Sequence, residues 1–267
     1  MIDTGNWISV GDLAEGFARE SNILLPSHDL AGTALDLVFE DGTTWAASIA
    51  LEGDRQFISL PNGPRAEVRV TSLREALYFV DYVAEGKSVT VIADLAAGVA
   101  LQREGRLPAA EEASVSLLAR AKARLPLTAV KASFRQARLA GTHGAFGFPR
   151  TSELVGKRIR YRYSPTEMYE HIYLNDSAYT WHCLSGVEAG LADTDLCHYF
   201  KLREELYLFV WQEKIVPTLG VITVDLARGK TDGKIFGNTG FMDENVSNFA
   251  VGALASFVNF TPPLAQA

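Results

Sequence analysis

Arg203-Glu204-Glu205-Leu206-Tyr207-Leu208-Phe209 decides the fold, because Arg74-Glu75-Ala76-Leu77-Tyr78-Phe79-Val80 says nearly the same thing 129 residues earlier. Three further pairs keep the same order. Leu30-Ala31-Gly32-Thr33 resembles Leu154-Val155-Gly156-Lys157 at an offset of 124, and Asp94-Leu95-Ala96-Ala97-Gly98 resembles Asp225-Leu226-Ala227-Arg228-Gly229 at 131. Ala132-Ser133-Phe134 echoes Ala255-Ser256-Phe257 at 123. Four ordered matches at similar spacing mark an internal duplication, with each copy one structural unit.

Within each copy the residues alternate with period two and break at turn dipeptides such as Asp41-Gly42 and Arg228-Gly229. Each half offers about eight strand candidates, the last arriving after an interruption. In the first half the interruption is a helix expected over Pro108–Arg124, followed by a strand over Val130–Leu139. In the second it is a loop over Gly237–Asn248, followed by a strand over Ala253–Phe260. A late strand that returns to the first one removes the exposed sheet edges, and eight strands enclose room for one small ligand. A short helix is expected from Val10, with Leu13 and Phe17 on one face. The expected fold class is therefore all-β, two tandem antiparallel eight-stranded barrels with few short helices. The glycine-rich stretch Gly141–Pro149 divides a domain over 1–140 from one over 150–267.

The chain of 267 residues is 48% hydrophobic with a net charge of −7. That acidity argues against nucleic acid and anionic membranes as partners, since both need a positive patch. No window approaches the ~18 consecutive apolar residues of a membrane helix. Cys183 and Cys197 do not make a disulfide framework, and the acidic opening Met1-Ile2-Asp3 does not read as a secretory leader. A reduced, cytoplasmic location is expected. Phosphate-binding loops and nucleophile elbows are missing, so no cofactor is expected. His171, His182 and His198 lack the spacing of a metal pair, so no metal is expected either.

The two copies differ where chemistry would sit. Arg158-Ile159-Arg160-Tyr161-Arg162-Tyr163 puts three arginines on one strand face and Ile159, Tyr161 and Tyr163 on the other. Burying unpaired guanidinium groups is too costly, so the arginines face water and the two phenols point inward. The matching first-half residues, Leu37 and Phe39, are hydrocarbon. In His198-Tyr199-Phe200-Lys201-Leu202-Arg203-Glu204, solvation of Lys201 and Arg203 turns His198, Phe200 and Leu202 inward. Glu204 then lies either at the mouth, with a raised proton affinity, or in a solvated turn with Glu205.

The runs Leu154–Asn175 and Tyr179–Gly186, with Gly190–Asp195 and Trp211–Gly220, resemble the MoaF family, named for molybdenum cofactor biosynthesis protein F. With a weaker match in the first half, the resemblance covers nearly the whole chain and implies a lipocalin-like (calycin) fold in two related domains. The second half also resembles, more distantly, the phenolic acid decarboxylases, single lipocalin-like barrels that act without a cofactor. Val155-Gly156-Lys157 followed by Tyr161 and Tyr163, and Glu204 seven residues before Trp211, match their pattern. In that family the tyrosines bind a substrate carboxylate and the glutamate acts on a phenol. Here His182 stands where they carry a carboxylate-binding arginine, and Glu170 falls near a pocket tyrosine, which weakens an anion site. The resemblance turns His182 inward; apolar periodicity buries Trp181 and exposes His182.

The expected function is a small-molecule-binding barrel performing cofactor-independent acid–base chemistry of lyase, decarboxylase or isomerase type on an aromatic or conjugated metabolite. Tyr161 and Tyr163 would orient the ligand, Glu204 would act as general acid or base, and His182 with Glu170 would share the proton. His198, Trp181, Phe200 and Ile172 are the expected ligand contacts. The competing class is a non-catalytic carrier or accessory protein of molybdenum cofactor biosynthesis. Homo-oligomer formation is left open.

Overall fold

The computed structural model describes residues 7–18, 20–61, 63–241 and 245–262. Helix α1 (Val10–Ala18) comes first, its N-terminus capped by the Ser9 hydroxyl, which accepts a bond from the Asp12 amide at 3.1 Å. Eight strands follow: β1 (Ala34–Phe39), β2 (Thr44–Glu52), β3 (Arg55–Ser59), β4 (Arg65–Arg74), β5 (Leu77–Ala84), β6 (Lys87–Asp94), β7 (Val99–Arg106) and β8 (Lys131–Leu139). They are antiparallel neighbours in chain order, and β8 pairs back onto β1 to close a barrel. The closing strand predicted over 130–139 is thus in place. Alternate side chains fill the inside with hydrocarbon, among them Leu37, Phe39, Ala47, Ile49, Val80 and Val91.

The helix expected over 108–124 forms as two pieces, α2 (Ala110–Ala113) and α3 (Leu117–Lys122). Ser116 is the reason for the break. Its backbone is extended, and its hydroxyl caps the second piece by accepting a bond from the Ala119 amide.

The remaining strands are β9 (Lys157–Arg162), β10 (Met168–Asn175), β11 (Ala178–Ser185), β12 (Ala192–Arg203), β13 (Leu206–Gln212), β14 (Thr218–Asp225), β15 (Lys230–Asn238), β16 (Val246–Val251) and β17 (Leu254–Phe260). They form an antiparallel sheet in the order β14-β13-β12-β11-β10-β9-β17-β15-β16, with β14 also paired to β15. The late strand is split: β16 continues the ladder from β15, while β17 lies against β9. The loop expected over 237–248 is shorter than its sequence suggests, because β15 runs on to Asn238 and β16 begins at Val246.

The chain divides into two compact units, one of Leu24–Arg106 with Ala132–Phe148 and one of the rest. α1, α2 and α3, although they precede residue 140, all group with the C-terminal sheet. The duplication itself is visible in the backbone. Ala76 and Glu205 occupy the same left-handed turn position (φ 57° and 53°), each just after a bulge in the preceding strand. Asp94 and Asp225 accept bonds from the amides of Ala97 and Arg228, at 2.9 and 3.0 Å. Each of these turns closes on a glycine with positive φ, Gly98 and Gly229. Gly32 donates to the Ile49 carbonyl and Gly156 to the Tyr173 carbonyl, which makes β2 and β10 counterparts.

Candidate functional site: the inner face of the C-terminal sheet

Parity places the first functional side chains. β9 alternates so that Ile159, Tyr161 and Tyr163 are buried on the inner face while Arg158 and Arg160 stand half-exposed on the other. On the neighbouring β10, Tyr169, His171 and Tyr173 share that inner face. Tyr161 and Tyr173 meet hydroxyl to hydroxyl at 2.6 Å, and burial pushes both phenol pKa values up, so both stay protonated. In the first barrel the positions matching Tyr161, Tyr163 and His171 are Leu37, Phe39 and Ala47.

His171 is the most unusual group in this face. It is 3% exposed, and its ring lies 4.6 Å from Tyr161, 5.2 Å from Tyr179 and 6.0 Å from Trp211. Among the described residues its Nδ1 has no hydrogen-bond partner. Burial holds its pKa down to about 3, so the imidazole is neutral. An unsatisfied buried polar atom costs about 1–3 kcal/mol, a penalty that a bound donor would remove.

Toward one end, the face turns acidic. Asp195 on β12 is 4% exposed and accepts a bond from the Trp181 indole at 3.0 Å. It also lies 3.4 Å from the Lys214 ammonium, which is bound in addition to Asp193. Glu213, two residues beyond Trp211 and on the same parity, accepts from that indole at 2.7 Å. Burial, reinforced by the charges of Asp195 and Glu188, raises the Glu213 pKa well above the carboxylate range. Glu188 accepts from the Tyr169 hydroxyl at 3.0 Å, and burial pushes its pKa up to about 7. Trp211 itself is seated by its cross-strand partner Gly220, where a Cβ would fall 2.0 Å from the indole.

α1 closes this acidic end. Val10, Leu13 and Phe17 are buried with the inner-face rings, Phe17 lying 4.8 Å from Tyr163 and 5.7 Å from Tyr169. Trp7 meets Trp181 edge-on at 5.9 Å. Beside the helix a cleft of about 790 Å³ runs between Gly16 and the turns carrying Glu167 and Val187.

The MoaF N-terminal domain family matches residues 5–109 and the MoaF C-terminal domain family matches 148–261. A curated relative, "Protein MoaF" of Klebsiella aerogenes, is 44% identical over 265 residues, covering 98% of each chain. The chain belongs to the MoaF family. A solved structure from Burkholderia vietnamiensis, described as a candidate beta-lactamase, is 19% identical with a TM-score of 0.34 over 41% of this chain and 100% of its own. That likeness is too slight to bear on fold or activity.

In this MoaF chain the residues expected to act together are not all on one face. Tyr161, Tyr163 and Trp181 are buried on the inner face. Glu204 is not: its side chain is 82% exposed in the β12–β13 turn and pairs with Lys201, because the turn leaves the sheet before Glu204 could reach inward. Glu170 is buried but on the outer face, where Arg158 (2.8 Å) and Arg160 (2.7 Å) clamp it. Burial alone would raise its pKa, but the bonds from Arg160 and Arg158 outweigh it and hold the carboxyl below its usual range. His182 shares the outer parity, as apolar periodicity required: the nearer irregularity between β10 and β11 falls beyond it, between Cys183 and Ser185, and does not turn it in.

His198 also faces outward, its Nε2 2.9 Å from Gln212. Phe200 is buried on that outer face beneath the Arg150 guanidinium, 5.0 Å from its ring, and Ile172 is outward beside Arg158. The parity expected for β12 is thus reversed: Asp195, Cys197 and Tyr199 point inward. A Glu204→Gln variant is expected to stay within about 0.5 kcal/mol of the parent in urea denaturation and to leave ligand binding unchanged. A large loss of either would return Glu204 to the site.

His171 and Glu213 are the residues missed by reading the sequence. The signal for His171 was its place between Tyr169 and Tyr173 at period two. Glu213 continues the parity of Phe209 and Trp211, but the adjoining Lys214 makes the pair read as a solvated turn.

Proposed function

We propose that the C-terminal half is a lipocalin-like barrel, the second of a tandem pair, whose interior binds a small aromatic or conjugated metabolite in the cytoplasm. There it moves a proton on that molecule without a cofactor. One observation carries this reading: phenols, an imidazole whose Nδ1 has no partner among the described residues, and a carboxyl biased toward its protonated form line one face, while the positions matching Tyr161, Tyr163 and His171 in the first barrel are Leu37, Phe39 and Ala47. Tyr161 and Tyr163 orient the ligand's polar group. Glu213 is the general acid or base, since a carboxyl with raised proton affinity is matched to proton transfer near neutral pH. His171, neutral, accepts a hydrogen bond from the ligand.

Proton transfer can be read on the substrate itself. The full chain is incubated in heavy water with a panel of phenolic and conjugated compounds, and C–H exchange or loss of carbon dioxide is followed by NMR. Tyr163→Phe and Glu213→Gln are expected to slow the reaction at least about 100-fold. Full rates in both variants would end the catalytic reading.

Family membership supports a second reading, a carrier or accessory protein linked to molybdenum cofactor biosynthesis. It is distinguished by binding that depends on the same residues without exchange or turnover.

A further inference from the structure

Helix α1 has two faces in use. Val10, Leu13 and Phe17 pack on the inner-face rings, while Asp12, Glu15 and Gly16 line the cleft of about 790 Å³ beside it. Across that cleft stand Pro165, Thr166 and Glu167 of the β9–β10 turn, with Gly186 and Val187. Small-molecule pockets run to ~300–1,000 Å³, so the volume suits one such ligand. Among the described lining residues four are acidic (Asp12, Glu15, Glu20 and Glu167) and none is basic. Ile8, Pro165 and Val187 give the same walls an apolar part.

Carboxylates at a rim are ordinarily solvated and mark nothing by themselves. Glu167 is not at the rim. It is 2% exposed, and its side chain takes a single hydrogen bond, from the Val187 amide to Oε2 at 3.3 Å. Among the described residues Oε1 has no hydrogen-bond partner. That oxygen faces α1, where a Cβ built on Gly16 would lie 3.5 Å from it. Two glycines make the room. A Cβ on Gly186 (φ +126°) would collide with Oε2, and one on Gly16 would come within 2.8 Å of Val187 Cγ1. Burial raises the Glu167 pKa from the usual carboxylate value, with the Val187 amide working the other way. A cation brought to Oε1 favours the ionised form and supplies the bond that this oxygen lacks.

We infer that this cleft binds a small amphipathic amine, its ammonium donating to Glu167 Oε1 opposite Gly16 and its apolar body lying along Ile8, Pro165 and Val187. The exposed carboxyls of Asp12, Glu15 and Glu20 draw cations toward the mouth, an effect that salt screens, and the buried oxygen seats them. A carboxylate of the same size meets like charge and no basic partner among the described lining residues. The cleft lies on the other side of α1 from the ring-lined inner face, so this assignment does not depend on the function proposed for that face.

The experiment is calorimetric titration of the full chain with hexylamine, 1-hexanol and hexanoate, aliphatic probes that share one apolar body and differ in charge. At about 0.15 M salt, hexylamine is expected to bind at least about tenfold tighter than either of the others. Glu167→Gln keeps an acceptor for the Val187 amide and removes the charge. It is expected to weaken hexylamine about tenfold or more and to leave hexanol unchanged. Gly16→Ala keeps every carboxyl, favours the helix and sets a methyl group before Oε1; it is expected to weaken hexylamine likewise and serves if the glutamine variant does not fold. Hexylamine binding no tighter than that of hexanol overturns the assignment. So does binding that Glu167→Gln, or in its place Gly16→Ala, leaves intact, since rim charge alone would then hold the amine. Failure of all three probes to bind at millimolar concentration overturns the cleft as a ligand site, while the reading of the inner face stands.

Discussion

Replacing His171 by Phe is expected to make the protein more resistant to acid than its parent. The folded imidazole has its pKa held down to about 3, against 6.5 for the unfolded group. Between those values the unfolded chain binds a proton that the folded chain refuses, so the parent loses stability as pH falls from 6.5 toward 3. The slope is at most about 1.4 kcal/mol per pH unit, and the loss across the window is roughly 4–5 kcal/mol. The raised carboxyls act in the opposite sense. Glu188 and Glu213 hold protons in the folded state that they release when unfolded, so their contribution is lost as pH rises above the usual carboxylate range. Subtracting the variant's stability from the parent's cancels those terms and isolates the imidazole. Urea denaturation of both proteins at a series of pH values between about 4 and 7 checks it. A difference that does not change with pH would mean that His171 is not the buried neutral base described here.

Phe209→Ala is the substitution expected to cost the most stability at constant pH. Phe209 is 0% exposed at the centre of the inner face, with ring centroids at 4.8 Å to Tyr179, 5.2 Å to both Tyr173 and Trp211, and 5.6 Å to Tyr199. Truncation removes the buried area and leaves a cavity among rigid rings that cannot collapse into it, about 3–5 kcal/mol, with the lost ring pairs adding to it. Near-ultraviolet circular dichroism should lose much of its aromatic signal, and the urea midpoint should fall by the corresponding amount. A loss under about 1 kcal/mol would show that the surrounding rings repack, and that the inner face is softer than its contacts imply.

Much of this protein was decided by short-range physics, and those parts were readable in the residues. The duplication showed because turns recur: an aspartate bonding to an amide three residues on, and a glycine with positive φ, are local demands that both copies meet with the same residue types. The face of β9 was readable because charges at Arg158, Arg160 and Arg162 leave a single acceptable parity, and that parity alone sends Tyr161 and Tyr163 inward. On β12 the same argument failed. Phe200 is buried on the outer face beneath Arg150, so both faces of the strand are covered there and hydropathy no longer tells them apart.

Tertiary structure decided the rest. Glu170 became a clamped outer-face carboxylate because an adjacent strand brings two guanidinium groups to it, twelve and ten residues away in sequence. Glu204 was drawn out to solvent by a turn, while Glu213, which reads as a turn residue, was drawn in by the parity of β13. α1 groups with the C-terminal sheet more than a hundred residues away because its apolar stripe needs an apolar partner, and no periodicity names which partner that is. Alternation along one strand tells which residues share a face; only the pairing of strands tells which faces meet, and at this candidate site pairing sets the buried carboxyls, the packed rings and an imidazole whose Nδ1 has no partner among the described residues on one face.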